Sequence, residues 1–199
     1  MIDASIIGDA KVLQGDGSWI TPSAGALTFI SNTDISAAAT YNFTAVNASS
    51  YEGYGLFLQN VIPVTDAVNL YVRTSTDGGS SYDAGASDYM WSSDLISYTA
   101  DAADNQINLT GSGTGSAYTV GSDAGESGCS GWIWFYGPHS TAFTHMTASI
   151  KVHTGEPKLL QVIAAGQRLS AADVDAFQLL FSSGNIETGT ITAYGIANA

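Results

Sequence analysis

The chain has 199 residues, of which 45% are hydrophobic and only 12% are charged, and five basic residues stand against eighteen acidic ones. A net charge of −13 leaves no basic surface for nucleic acid or for an anionic membrane, so neither is expected as a partner. The length and the hydrophobic content suit one all-β domain.

The first part of the chain differs from the rest. Residues 1–24 are apolar in patches, are interrupted by Gly8, Gly15 and Gly17, and end in the sequence GSWITP. They are predicted to form an N-terminal arm that anchors the protein or exchanges with a neighbouring subunit. Residues 25–199 are predicted to fold as a single domain.

Short runs of alternating apolar and polar residues then follow one another along the chain. Leu56 and Leu58 share a face in YEGYGLFLQNVIP, and Met146 and Ala148 do so in THMTASIKVHTG. About ten or eleven such strands, separated by turn signals, predict an all-β, antiparallel β-sandwich or jelly roll. One helical turn is predicted after Ser170, which could cap it.

The strand in GCSGWIWFYGP lacks this alternation, because residues 132–136 form an unbroken apolar run. Such a run predicts that both faces of the strand are covered. Trp132 and Trp134 share one face and Tyr136 continues the row. We interpret this row as core packing, with a sugar-stacking surface as the alternative.

A turn is predicted within the segment NLYVRTSTDGGSSYDAGASDYMW. Residues 75–82, Ser-Thr-Asp-Gly-Gly-Ser-Ser-Tyr, are similar to the Asp-box pattern of sialidases, which is a hairpin turn. The Asp77 carboxylate can accept backbone N–H bonds across the turn, and Gly79 can supply a positive φ. Tyr82 can then fold back onto the sheet.

Two binding sites are alternatives in the same segment. Asp77, Asp83 and Asp88 could join backbone carbonyls around Ca²⁺, although their spacing is not that of an EF-hand. Calcium is the only cofactor considered, and none is required. A second alternative is a glycan-stacking platform, formed by the aromatic residues at the margin of the loop: Tyr82, Tyr89 and Trp91.

Enzymatic activity is not predicted. The chain has no nucleophile elbow and no phosphate-binding loop, and most of its acids stand in turns, where Asp is expected. Cys129 is the single cysteine and is expected to be a buried apolar residue.

Four segments in their order give a family resemblance: residues 61–91, then INLTGSGTGS, then SGWIWFYGP, then VDAFQLLFSSGNIETGTITAYGI. Over residues 41–196 the chain resembles small β-sandwich virion proteins of tailed bacteriophages. The resemblance implies a structural role as a capsid decoration, a head fibre or a tail-fibre component. It also implies a homotrimer that contacts other virion proteins, is made in the bacterial cytoplasm and resides in the virion. The alternative function is a carbohydrate-binding module that recognises host surface glycans.

Overall fold

The computed structural model describes residues 12–13, 15, 19–20, 27–47, 50–93, 101–111, 119–156 and 158–197. Most of the predicted arm, residues 1–24, lies outside the described residues. The described residues form fourteen β-strands and no helix. The strands are β1 (Val12–Leu13), β2 (Trp19–Ile20), β3 (Leu27–Ala38), β4 (Tyr41–Phe43), β5 (Tyr51–Pro63), β6 (Leu70–Ser75), β7 (Tyr89–Ser93), β8 (Asp101–Asp104), β9 (Ile107–Asn108), β10 (Cys129–Tyr136), β11 (His145–His153), β12 (Leu159–Arg168), β13 (Ala176–Phe181) and β14 (Ile186–Ala197).

Two antiparallel sheets pack against each other. The larger has eight strands in the order β3-β14-β5-β10-β11-β12-β7-β8, and the smaller has four in the order β4-β13-β6-β9. Strands β1 and β2 form a separate two-stranded sheet. This arrangement confirms the predicted all-β class and the antiparallel β-sandwich.

Three strands of the larger sheet are long. Strands β3 and β14 have twelve residues each and β5 has thirteen. Their alternation is interrupted by register shifts and by the positive φ angles of Asn60 (47°) and Gly189 (152°). Each irregularity resets the face on which side chains alternate, so a strict alternation of apolar and polar residues does not run through the whole length of these strands.

The core lies between the two sheets. Tyr54, on β5, is fully buried and meets Phe43 and Phe177 of the smaller sheet edge to face, with ring centroids 5.6 and 6.3 Å apart. Phe135 stacks on Phe177 with centroids 3.8 Å apart. Cys129 is also fully buried, as predicted, and burial raises the pKa of its thiol to about 12.

The helical turn predicted after Ser170 does not form. Residues 171–175 run without helical structure. The backbone N–H of Val174 donates to the carbonyl of Pro138 at 2.8 Å, and that of Asp175 donates to the carbonyl of Ser75 at 3.0 Å. These contacts to neighbouring segments take the backbone donors that a helical turn would have used.

Candidate functional site

The turn after β6 is closed by one carboxylate. Asp77 Oδ1 accepts from the Ser81 backbone N–H at 2.9 Å and from the Ser75 hydroxyl at 2.8 Å, and its Oδ2 accepts from the Ser81 hydroxyl at 2.6 Å. Gly79 has a φ of 82°. Hydrogen bonds from Ser81 and Ser75 hold the pKa of Asp77 at about 2. The segment is therefore a turn built as the sequence predicted, with Asp77 as its organising group.

The other two carboxylates of the predicted calcium site have partners of their own. Asp83 Oδ2 pairs with the guanidinium of Arg168 at 2.8 Å, and Arg168 is largely buried. Asp88 Oδ2 accepts from the backbone N–H of Gly85. Within the described ranges, no three His, Cys, Asp or Glu side chains are grouped so that they could hold a metal ion. The structure thus does not bring Asp77, Asp83 and Asp88 together as a ligand set.

The predicted glycan platform of Tyr82, Tyr89 and Trp91 is mostly inside the protein. Tyr89 is fully buried and its hydroxyl accepts from the Thr74 backbone N–H at 2.8 Å, and burial raises its pKa to about 12. Trp91 is buried and its indole N–H donates to Asp104 Oδ2 at 2.9 Å. Tyr82 is partly buried. Neither Tyr89 nor Trp91 presents a ring face to solvent, so the three side chains do not form a sugar-stacking surface.

The two tryptophans of β10, which were predicted to pack in the core, lie on the outer face of the larger sheet. Ile133 and Phe135 point into the core and are 0% and 1% exposed. Trp132 and Trp134 alternate with them, point away from the smaller sheet and are only half-buried. The interpretation of this row as core packing was wrong, because only one face of β10 is covered by the second sheet.

These tryptophans belong to a connected set of rings on the outer face of the larger sheet. Ring centroids are 5.1 Å apart between Trp132 and Trp134, 4.7 Å between Trp132 and Phe57, and 5.7 Å between Trp132 and Tyr194. Phe29 extends the set at 6.2 Å from Tyr194. We call this set the aromatic face; it comprises Phe29, Phe57, Trp132, Trp134 and Tyr194.

A glycine makes room for the ring of Trp134. Gly55 pairs with Trp134 across β5 and β10. A Cβ placed on Gly55 would lie 2.6 Å from the indole of Trp134, which is far inside van der Waals contact. The indole therefore lies directly over the backbone of β5, and any side chain at position 55 would displace it.

Further apolar side chains are exposed on the same side of the larger sheet, and the polar row of β11 separates those on β12 and β7 from the aromatic face. Of the eight large hydrophobic residues that are exposed in the described part of the chain, six lie on this outer side of the larger sheet. Phe29 is 59% exposed and Ile163 is 58% exposed. The six are Leu27, Phe29, Met90, Tyr136, Leu159 and Ile163.

Polar groups border this surface on both sides. On β11, Thr147 lies opposite Trp134 and Ser149 lies opposite Trp132. At the β3 edge, the hydroxyl of Thr190 donates to Asp34 Oδ1 at 2.8 Å. The polar row of β11 can be recognised in the sequence. The sequence does not show that β11 pairs with β10, and this pairing places the tryptophans on the solvent side.

Comparisons with known proteins give no match: no family model, no curated protein and no solved structure matches this chain. Among the described residues, no helix is long and apolar enough to span a membrane.

Proposed function

We propose that this protein is a non-catalytic structural component of a virion surface, on the head or on the tail of a bacteriophage. It works by assembly: it forms a symmetric oligomer and contacts other virion proteins through the outer side of its larger sheet. The observation that carries the proposal is the aromatic face, together with the exposed apolar side chains that surround it.

The size of this surface supports an assembly role. Six large apolar side chains, each about half exposed out of roughly 200 Å², present on the order of 600 Å² to solvent, in two groups that the polar row of β11 separates. A standard interface buries about 800 Å² on each partner, with apolar and polar groups together. The outer side of the larger sheet thus approaches the area that a stable protein contact requires.

The character of the surface points in the same direction. The protein carries a net charge of −13, and copies of so acidic a chain repel one another over most of their surface. On the β11 side of the aromatic face, the neighbouring groups are the hydroxyls of Thr147 and Ser149, and the Asp34 carboxylate at the β3 edge accepts a hydrogen bond from Thr190. The virion part of the proposal is supported by the resemblance of residues 41–196 to phage surface proteins.

Gold labelling of intact phage particles tests the proposal. An antibody against residues 27–197 is expected to label the particle surface, and the positions of the gold particles distinguish a head decoration from a tail component. Pre-absorption of the antibody with purified protein is the control and should abolish the labelling. Particles that contain the protein by mass spectrometry but carry it inside the capsid would overturn the surface role.

A second candidate, glycan binding, is favoured by the two partly exposed indoles of Trp132 and Trp134. Trp132 and Trp134 are stacked with an interplanar angle of 11°, and Gln59 lies one row further along β5 from Phe57, beside Thr190. An indole face with nearby amide and hydroxyl groups is the usual arrangement for stacking a sugar ring. Binding of host surface polysaccharide that is lost in Trp134→Ala, but retained in Phe143→Ala on an exposed loop, would favour this candidate.

A further inference from the structure

One edge of the sandwich is long and open. In the described part of the chain, the twelve-residue strand β3 pairs only with β14. The other three edge strands of the two sheets are short: β4 has three residues, β8 has four and β9 has two. About half of the backbone N–H and C=O groups of β3 therefore point away from the sheet, and no described strand receives them.

Strand β3 also lacks most of the features that block pairing at an edge. Its sequence, LTFISNTDISAA, has no proline and no lysine. A register shift around Ile30 and a positive φ of 50° at Ala37 bound its regular part. Residues 31–36 pair with β14 in unbroken register. This six-residue stretch is a straight template for one more strand.

Two polar side chains on this stretch have formed only part of the hydrogen bonds that they can make. Asn32 Oδ1 accepts from the hydroxyl of Thr192 at 2.6 Å, and Asp34 Oδ1 accepts from Thr190 at 2.8 Å. Among the described residues, no hydrogen bond is formed by the Asn32 amide nitrogen or by Asp34 Oδ2. Both side chains are exposed on the outer side of the strand, so one donor and one acceptor stand two residues apart.

We propose that two copies of this chain pair edge to edge, antiparallel, through β3, with the two-fold axis at Thr33. In this register Asn32 lies opposite Asp34 of the second copy, and the same pair repeats on the other side of the axis. Each Asn32 amide donates to the unused oxygen of the opposing Asp34. No carboxylate faces another, which matters for a chain with a charge of −13.

This contact is separate from the aromatic face and goes beyond the proposed function. The two-fold axis stands perpendicular to the sheet, so the two eight-stranded sheets join into one and both aromatic faces lie on the same side. A two-fold contact gives a dimer by itself, or a hexamer when it joins two trimers. The pairing doubles the apolar surface available to a third component.

A charge swap tests the register. Asn32→Asp keeps the oxygen that accepts from Thr192 but sets a carboxylate opposite Asp34 of the second copy, twice in each pair. The dissociation constant measured by sedimentation is expected to rise about ten-fold. The double variant Asn32→Asp/Asp34→Asn restores an amide–carboxylate pair and should return the constant to that of the wild type. Unchanged association in Asn32→Asp would overturn the proposal.

A cysteine at the axis gives an independent test. Opposed residues of paired strands have Cα atoms about 4.5–5.5 Å apart, within the range of about 4.4–6.8 Å that a disulfide spans. Thr33→Cys is therefore expected to form a covalent dimer under mild oxidation, and the buried Cys129 does not compete.

Ser36→Cys is the control on the same strand; its side chain is exposed, whereas that of Thr33 is partly buried. In this register the two cysteines at position 36 would lie on the order of 20 Å apart, so the variant should remain monomeric on a non-reducing gel. Equal cross-linking of Thr33→Cys and Ser36→Cys would indicate random collision and overturn the register. If the wild type associates, and this association is lost in Phe29→Ala but retained in Asn32→Asp, the copies meet through the aromatic face and the β3 pairing is overturned.

Discussion

Two phenylalanines of the larger sheet provide a matched test of which side is the interior. Phe135, on β10, is 1% exposed and stacks on Phe177 of the opposite sheet. Phe29, on β3, is 59% exposed and has one described ring contact, with Tyr194. Replacing each by alanine makes the same chemical change on opposite sides of one sheet.

The expected costs differ several-fold. Phe135→Ala removes a fully packed ring and leaves a cavity between the sheets, which lowers the free energy of unfolding by about 3–5 kcal/mol. Three-fifths of Phe29 is already in water, so Phe29→Ala removes only the remaining burial and the edge contact with Tyr194. That loss amounts to about 1 kcal/mol.

Urea unfolding followed by tryptophan fluorescence measures both variants against the wild type. The protein must be dilute enough to be monomeric, because association would add a concentration-dependent term to the apparent stability. Circular dichroism is a second probe that does not depend on the tryptophans of the aromatic face. If Phe29→Ala costs as much as Phe135→Ala in the monomer, the outer side is packed like an interior and the reasoning for an assembly surface fails.

Four further predictions follow from local contacts. Gly55→Val should displace the indole of Trp134 and weaken association through the aromatic face without removing a ring, whereas wild-type association would contradict the packing described for Gly55. The pKa of Asp77 is lowered to about 2, so the stability that its carboxylate contributes is complete above about pH 4 and is lost as the pH falls towards 2. Asp77→Asn should therefore flatten the curve of stability against pH between about pH 4 and pH 2. An unchanged curve would count against the role of Asp77 in the turn. Cys129 should react with a thiol reagent only on unfolding, because burial raises its pKa and closes access; rapid labelling of the native protein would refute this. Millimolar Ca²⁺ should leave Tm unchanged, because the three candidate carboxylates already accept hydrogen bonds from the protein, and a Tm that rises with Ca²⁺ would restore the calcium site.

The amino-acid sequence alone was sufficient for the fold class and for the local turn. Alternating apolar residues such as Leu56 and Leu58 need no tertiary information to be assigned to one face of a strand, and both are fully buried. The turn at Asp77 was equally readable, because its hydrogen bonds join residues within four positions of one another. Interactions between residues so close in the sequence can be predicted from a short stretch of it.

Only the tertiary structure decided which side of each aromatic strand is the interior. In β10 every residue from Trp132 to Tyr136 is apolar, so the period of two separates two rows but does not say which row faces the second sheet. That choice comes from pairing with β11, whose polar residues Thr147 and Ser149 lie beside the tryptophans. The same non-local packing placed Tyr89 inside. A sheet face is buried by residues that are distant in the chain, and a strand carries no local mark of what will cover it.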